Sequence, residues 1–188
     1  MRSILIRSTL LLIALVPVGC TGTIIREASG ALLGAKGTFT PLQPLAAEKE
    51  AKTLGEYTHF ELGTITDSIG GQTPENFLTY LREEFPEQVL DARLPDNNTG
   101  KTLVIRGSII YYESASTVGY ALGPLEEVIC RTELVDKATG QILGTANCVG
   151  RTKAVNNSGV KSKASGLAKA FVKWIEFRFP EDLKTPKK

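Results

Sequence analysis

The segment TLVIRGSIIYY, residues 102–112, decides the fold, because its Val, Ile and Tyr content predicts a long β-strand. Two further strands are predicted over residues 126–136 and 141–152. Between them a glycine, Gly140, follows four residues after Asp136, which suits a type I turn followed by a left-handed residue. These two strands are therefore expected to form an antiparallel hairpin.

Working outward, the apolar residues between Tyr57 and Ile65 predict an earlier strand. Thr73 and Pro74 supply an N-cap hydroxyl and a first-turn proline for a helix that follows. A closing helix is predicted over residues 160–179, with an apolar stripe at helical spacing. The order β-α-β-β-β-α predicts an α+β fold, a small mainly antiparallel sheet with two helices packed on one face.

Composition narrows the class of protein. With 188 residues the chain can build one ordinary domain. Its 22 basic and 20 acidic side chains lack the basic excess of a nucleic-acid binder, so no nucleic-acid partner is expected. One histidine and three cysteines are a thin supply for a metalloenzyme, so neither a metal site nor a cofactor is predicted.

The amino terminus carries an export signal. Arg2 and Arg7 precede the apolar run LLLIAL, residues 10–15, which is too short to span a bilayer and is typical of a signal peptide over residues 1–19. The end of that signal, Val18-Gly19-Cys20, resembles the lipobox of bacterial lipoproteins. The resemblance implies lipid on Cys20 and attachment to the cell-envelope membrane. Thr21 is not the aspartate that favours inner-membrane retention, so the periplasmic side of the outer membrane is expected.

The signal is followed by a predicted tether and a predicted domain. Residues 20–51 contain glycine and proline without a sustained period, which predicts a flexible tether behind the lipidated cysteine. Residues 52–180 are expected to form the globular domain, and residues 181–188 a polar tail.

Cys130 and Cys148 are expected to lie opposite each other on the predicted hairpin. Two cysteines outside the cytoplasm favour a disulfide. Directly opposed β-carbons are about 4.5–5.5 Å apart, wider than the roughly 3.5–4.5 Å of a bridge. Two reduced, buried cysteines acting as small apolar residues are the alternative.

No catalytic residue is predicted. Ser158 and Lys161 match the spacing S-x-x-K, but the partner motifs of penicillin-binding enzymes do not occur in the sequence. His59 is read as an edge-strand residue, and the pair Glu83 and Glu84 as a solvated helix face.

One sheet face is the candidate partner surface. Ile110, Tyr112, Ile129 and Arg131 are expected on the outward face, where an apolar strip with a polar rim can bind a protein. The alternative is that the tether or the segment 114–124 covers this face.

The strand LVIRGSIIYYES, the hairpin LVDKATGQIL and the closing LAKAFVKWI lie within residues 54–179. Together these segments resemble a bacterial lipoprotein family known as domain-of-unknown-function family 4410. The resemblance implies an envelope location and a small α+β fold, and no activity. The predicted function is a membrane-anchored, non-catalytic binding or assembly module whose partner the sequence does not identify, and another envelope protein is one candidate. A small envelope hydrolase and a structural tethering protein are the alternatives.

Overall fold

The computed structural model describes residues 36–42, 52–97, 99–113, 126–152 and 159–186. The elements in chain order are β1 (Lys36–Pro41), β2 (Tyr57–Asp67), α1 (Phe77–Asp91), β3 (Lys101–Tyr112), β4 (Glu127–Asp136), β5 (Ile142–Arg151), α2 (Val160–Arg178) and a short 3₁₀-helix, Glu181–Leu183. The predicted signal peptide, Cys20 and the segment 114–124 lie outside the described residues.

Within the described residues the strands form a five-stranded sheet in the order β1-β5-β4-β3-β2. β2 and β3 pair in parallel, with α1 as the crossover between them, whereas the other neighbouring strands pair antiparallel. The predicted α+β fold with a mainly antiparallel sheet is confirmed. The predicted β4–β5 hairpin also forms, and Gly140 has the positive φ of 71° that its turn requires.

The first strand corrects the predicted tether. Residues 36–41 were expected to be flexible, but they form the edge strand β1, which pairs with β5. Phe39 on this strand packs against Phe177 of α2, with ring centroids 5.6 Å apart. Only one large apolar side chain of β1 reaches the core, so the sequence shows no alternating pattern to predict a strand.

Both helices cover one face of the sheet, as predicted. α2 contacts β1, β5 and β4, while α1 contacts α2 and β2. The core between the layers is closed by fully buried side chains that include Leu103, Ile105, Leu134, Phe171 and Trp174. The opposite face of the sheet, called the outer face below, carries the remaining side chains of β3, β4 and β5.

Two local features involve contacts with the core or with distant residues. Pro86 lies inside α1, which continues through it to Asp91, and the side chains of Phe85 and Val89 on either side are buried in the core. The described part of the predicted polar tail, residues 181–186, contacts the domain. The Thr185 backbone N–H donates to the Arg93 carbonyl at 2.9 Å.

Candidate functional site

An apolar row crosses the outer face. Strand register places Tyr111 of β3 beside Ile129 of β4, and Ile129 beside Val149 of β5. Tyr111 and its neighbour Ile110 expose 43% and 36% of their surface. Exposed large apolar side chains that adjoin one another are a common feature of protein-binding surfaces.

A β-bulge corrects the predicted orientation of Tyr112. Ile109 pairs with Cys130 and Tyr111 with Ile129, so Ile110 is an extra residue on β3. The extra residue reverses the alternation of side chains beyond it. Tyr112 is therefore buried on the helix-covered face, and Tyr111 takes the place on the outer face that was predicted for Tyr112.

The other residues of the predicted surface lie where they were expected. Ile110 is exposed at the bulge, Ile129 is partly buried on the outer face, and Arg131 is exposed beside Asn147 on the next strand. The structure thus brings three of the four predicted residues to one face, together with Tyr111.

Charged groups on the same face form cross-strand pairs. Arg106 Nε lies 2.7 Å from Glu133 Oε2, and Arg151 Nε lies 2.9 Å from Glu127 Oε2. Partly exposed pairs of this kind contribute about 0–1 kcal/mol each to stability. Together with the exposed Arg131, the two pairs give the apolar row a rim of both signs that carries one net positive charge among these five groups.

A buried polar cluster lies under the end of β3. Lys163 of α2 is only 2% exposed. Its ammonium lies 2.9 Å from Glu126 Oε2, donates to the Glu113 carbonyl at 2.5 Å, and lies 4.3 Å from the centroid of the Tyr112 ring. Buried charges need such partners, because desolvation without them is expensive. No local sequence pattern marks this cluster, because Glu113 and Glu126 are distant from Lys163 along the chain.

Tyr112 is held in this cluster by its ring. Phe77 of α1 packs edge-on against that ring at 5.6 Å, and burial raises the pKa of the phenol to about 12. Its hydroxyl has no hydrogen-bond partner among the described residues. The environment therefore holds the aromatic ring rather than the hydroxyl.

The two cysteines are opposed, as predicted, but are free thiols rather than a disulfide. Both are fully buried. Burial raises the pKa of Cys130 to about 11, and burial also raises the pKa of Cys148. Opposed β-carbons in a regular ladder are wider apart than a bridge prefers, which agrees with the reduced state.

The candidate acid–base residues have structural partners. His59 Nδ1 lies 2.7 Å from Asp96 Oδ1, and its Nε2 lies 3.4 Å from Glu61 Oε1. Glu83 is exposed as predicted, whereas Glu84 is buried and lies 3.6 Å from Lys161 Nζ, so it does not belong to a solvated face. Ser158 lies outside the described residues.

Neither a metal-binding cluster nor a membrane-spanning helix occurs within the described ranges. No group of three or more His, Cys, Asp or Glu side chains there is arranged to hold a metal ion. Among the same residues, no helix has both the length and the apolar character needed to cross a membrane.

Comparison with known proteins relates the chain to a solved fold. No family model matches it. No curated protein matches it either. The chain is similar to the PelC dodecamer from Paraburkholderia phytofirmans in space group P6, with a TM-score of 0.50 and 13% sequence identity over 74% of this chain and 98% of that chain. A single-residue variant of that dodecamer in space group C2 gives a TM-score of 0.47 and 14% identity, over 78% of this chain and 99% of that chain. At such identities the likeness concerns the fold alone.

Proposed function

We propose that this protein is a lipid-anchored envelope protein and that its domain is a non-catalytic assembly module. The anchor is supported by the basic start, the short apolar run and the Val18-Gly19-Cys20 sequence. Several acyl chains on one cysteine would hold a protein on the membrane almost permanently, since each buried methylene adds about 0.8 kcal/mol.

The anchor is tested by detergent phase partition. The wild-type protein is expected in the detergent phase, and Cys20→Ala in the aqueous phase. Equal partition of the two proteins would contradict lipidation. Mass spectrometry of the amino-terminal peptide provides the control, because it detects acyl groups on Cys20 directly.

The assembly function is carried by the apolar row on the outer face. Tyr111 and Ile110 are exposed side by side, and two cross-strand ion pairs, together with the exposed Arg131, lie on the same face. A second copy of this chain is the partner that fits best, because a rim of both signs with little net charge can meet its own copy with little net repulsion. PelC from Paraburkholderia phytofirmans, to whose fold this chain is similar, is a dodecamer, which supports the proposal that this chain associates with itself.

Sedimentation equilibrium in a density-matched detergent tests the association. The wild-type protein is expected to form an oligomer, and Ile129→Glu to shift it to monomer, because the substitution puts an unpaired charge in the apolar row. Leu90→Glu is the matched control, since Leu90 is 76% exposed on α1, in the layer on the opposite side of the sheet. A monomeric wild type, or an Ile129→Glu variant as associated as wild type, would exclude self-association through this face.

A protein of different mass cross-linked to the outer face would instead identify another envelope protein as the partner. A monomer that cross-links to nothing through this face would favour the structural tether. Both outcomes leave the lipid anchor unaffected, because phase partition tests it independently.

A further inference from the structure

The last four residues of β3 form two pairs of identical neighbours, Ile109-Ile110 and Tyr111-Tyr112. When the pairing register of a strand shifts by one residue, an apolar side chain normally leaves the core and a polar side chain enters it. If the part of β3 beyond Ile109 shifted by one residue against β4, Tyr111 would take the place of Tyr112 in the core. The core would still contain a tyrosine at that place.

Two registers of this strand end are compatible with the same β4. In the observed register Ile110 is the extra residue, Tyr111 pairs with Ile129 and Tyr112 with Val128. Without the bulge, Ile110 would pair with Ile129 and Tyr111 with Val128. The unbulged register is also the one that strict alternation along β3 predicts.

The contacts that hold Tyr112 would hold Tyr111 equally well. The edge-on ring of Phe77 and the ammonium of Lys163 at 4.3 Å both act on an aromatic ring. The Tyr112 hydroxyl has no hydrogen-bond partner among the described residues, so no specific hydrogen bond favours one tyrosine over the other. The Lys163 ammonium donates to the Glu113 backbone carbonyl, and every residue offers a carbonyl, so this hydrogen bond does not depend on which residue occupies the position.

The slip would disturb few other contacts. β2 pairs with β3 only as far as Ile109, so within the sheet the described residues beyond Ile109 pair with β4 alone. The connection from Glu113 to Glu126 would change by one residue, and the cost of closing a loop rises only slowly with its length.

We propose that the end of β3 is a two-register switch in which Tyr111 and Tyr112 alternately fill the pocket formed by Phe77 and Lys163. The register decides which tyrosine the outer face presents. In the bulged register Tyr111 lies in the apolar row, whereas in the unbulged register Tyr112 lies beside Glu127, at the charged rim. This consequence for association rests on the proposed function, whereas the switch itself does not. A neighbouring copy that binds the bulged face would shift the population toward that register.

Nitration with tetranitromethane, followed by peptide mapping, tests the switch. All samples carry Ile129→Glu, which prevents a neighbouring copy from shielding Tyr111. The oligomeric state of each sample is measured separately by sedimentation, so that a failure of the proposed association is distinguished from a failure of the switch. In this background Tyr111 is expected to react and Tyr112 to be protected. In Tyr112→Ser the strand is expected to slip, so Tyr111 becomes at least several-fold less reactive. Tyr111 that stays fully reactive in a folded Tyr112→Ser protein would overturn the proposal.

Deletion of Ile110 provides a second test if Tyr112→Ser does not fold. The deletion removes the extra residue of the bulge, so Tyr111 stays on the outer face and Tyr112 stays in the core in a single register. The slip exposes Tyr112 transiently in the parent protein, so nitration of Tyr112 is expected to be several-fold slower after the deletion. Equal rates in the parent and the deletion variant would also refute the switch.

Discussion

Gly37→Ala is expected to destabilise the whole domain, because α2 lies directly on β1 at this glycine. A β-carbon at position 37 would be 2.2 Å from the Ala170 backbone nitrogen and 2.6 Å from the Gly166 carbonyl oxygen. Ordinary contacts begin near 3.4 Å, so strand or helix must move by about 1 Å. Both clashing atoms belong to the helix backbone, and a change of side-chain rotamer cannot relieve them.

The expected cost is about 2–3 kcal/mol, the upper part of the range for overpacking. With an m-value of about 2 kcal/mol/M in urea, this loss lowers the unfolding midpoint by about 1–1.5 M. Trp174 is the single tryptophan of the chain and is 2% exposed, so its fluorescence reports unfolding of the core.

Two glycines provide comparisons for this experiment. Gly150→Ala is expected to cost about as much, because its β-carbon would be 2.4 Å from the Leu167 nitrogen. Gly71→Ala meets no atom within 4 Å but has a φ of 81°, so only the backbone strain of about 1 kcal/mol is expected. If Gly37→Ala unfolds at the wild-type midpoint while Gly150→Ala does not, β1 is not part of the cooperative domain.

Three further predictions concern buried groups. Cys130 and Cys148 are expected to resist alkylation in the native protein at pH 8, because a pKa of about 11 leaves only about one Cys130 thiol in a thousand as thiolate. In denaturant without reductant, both are expected to react as free thiols. Fewer than two reactive thiols from this pair would indicate a disulfide. Hydrogen bonds lower the pKa of Asp136 in the folded protein, and the largest effect comes from the bond donated by the Thr139 backbone N–H. The Asp136 carboxylate therefore stabilises the fold at pH values above its unfolded-state pKa near 4. This stabilisation is lost as the pH falls through the lower pKa of the folded state. Urea midpoints of Asp136→Asn should therefore depend less on pH below about 5, and an unchanged profile would count against this reasoning. Lys163→Met is expected to cost roughly 3–5 kcal/mol by leaving Glu126 buried and unpaired, and Glu126→Leu in the same chain should recover most of this loss in urea unfolding.

Much of the fold could be predicted from local patterns. The hairpin from Glu127 to Arg151 combines alternating apolar residues with a turn that needs a glycine at positive φ, and both signals lie within a few residues of each other. The closing helix was recognised in the same way, from apolar residues at helical spacing. Such signals are local, so a single sequence contains them.

The candidate surface was predicted in outline, but Tyr112 was placed on the wrong face. Alternation is counted residue by residue along a strand, and a bulge inserts one residue into the count. Nothing in Ile109-Ile110 marks a bulge, because either isoleucine suits an outward or an inward position. The buried state of Lys163 escaped notice for a related reason, since its partners Glu126 and Glu113 are distant in sequence.

The amino-acid sequence alone was enough to predict the α+β class, the order of the α-helices and strands after β1, and the opposed cysteines. The export signal with its cysteine remains a prediction from the sequence. These features depend on periodicity, turn chemistry and short motifs, which act over a few residues. Tertiary structure alone decided three others: the strand β1, the burial of Lys163, and the tyrosine that faces outward. Each depends on contacts with α2 or β4, which are remote along the chain, and packing against such partners overrides local preference.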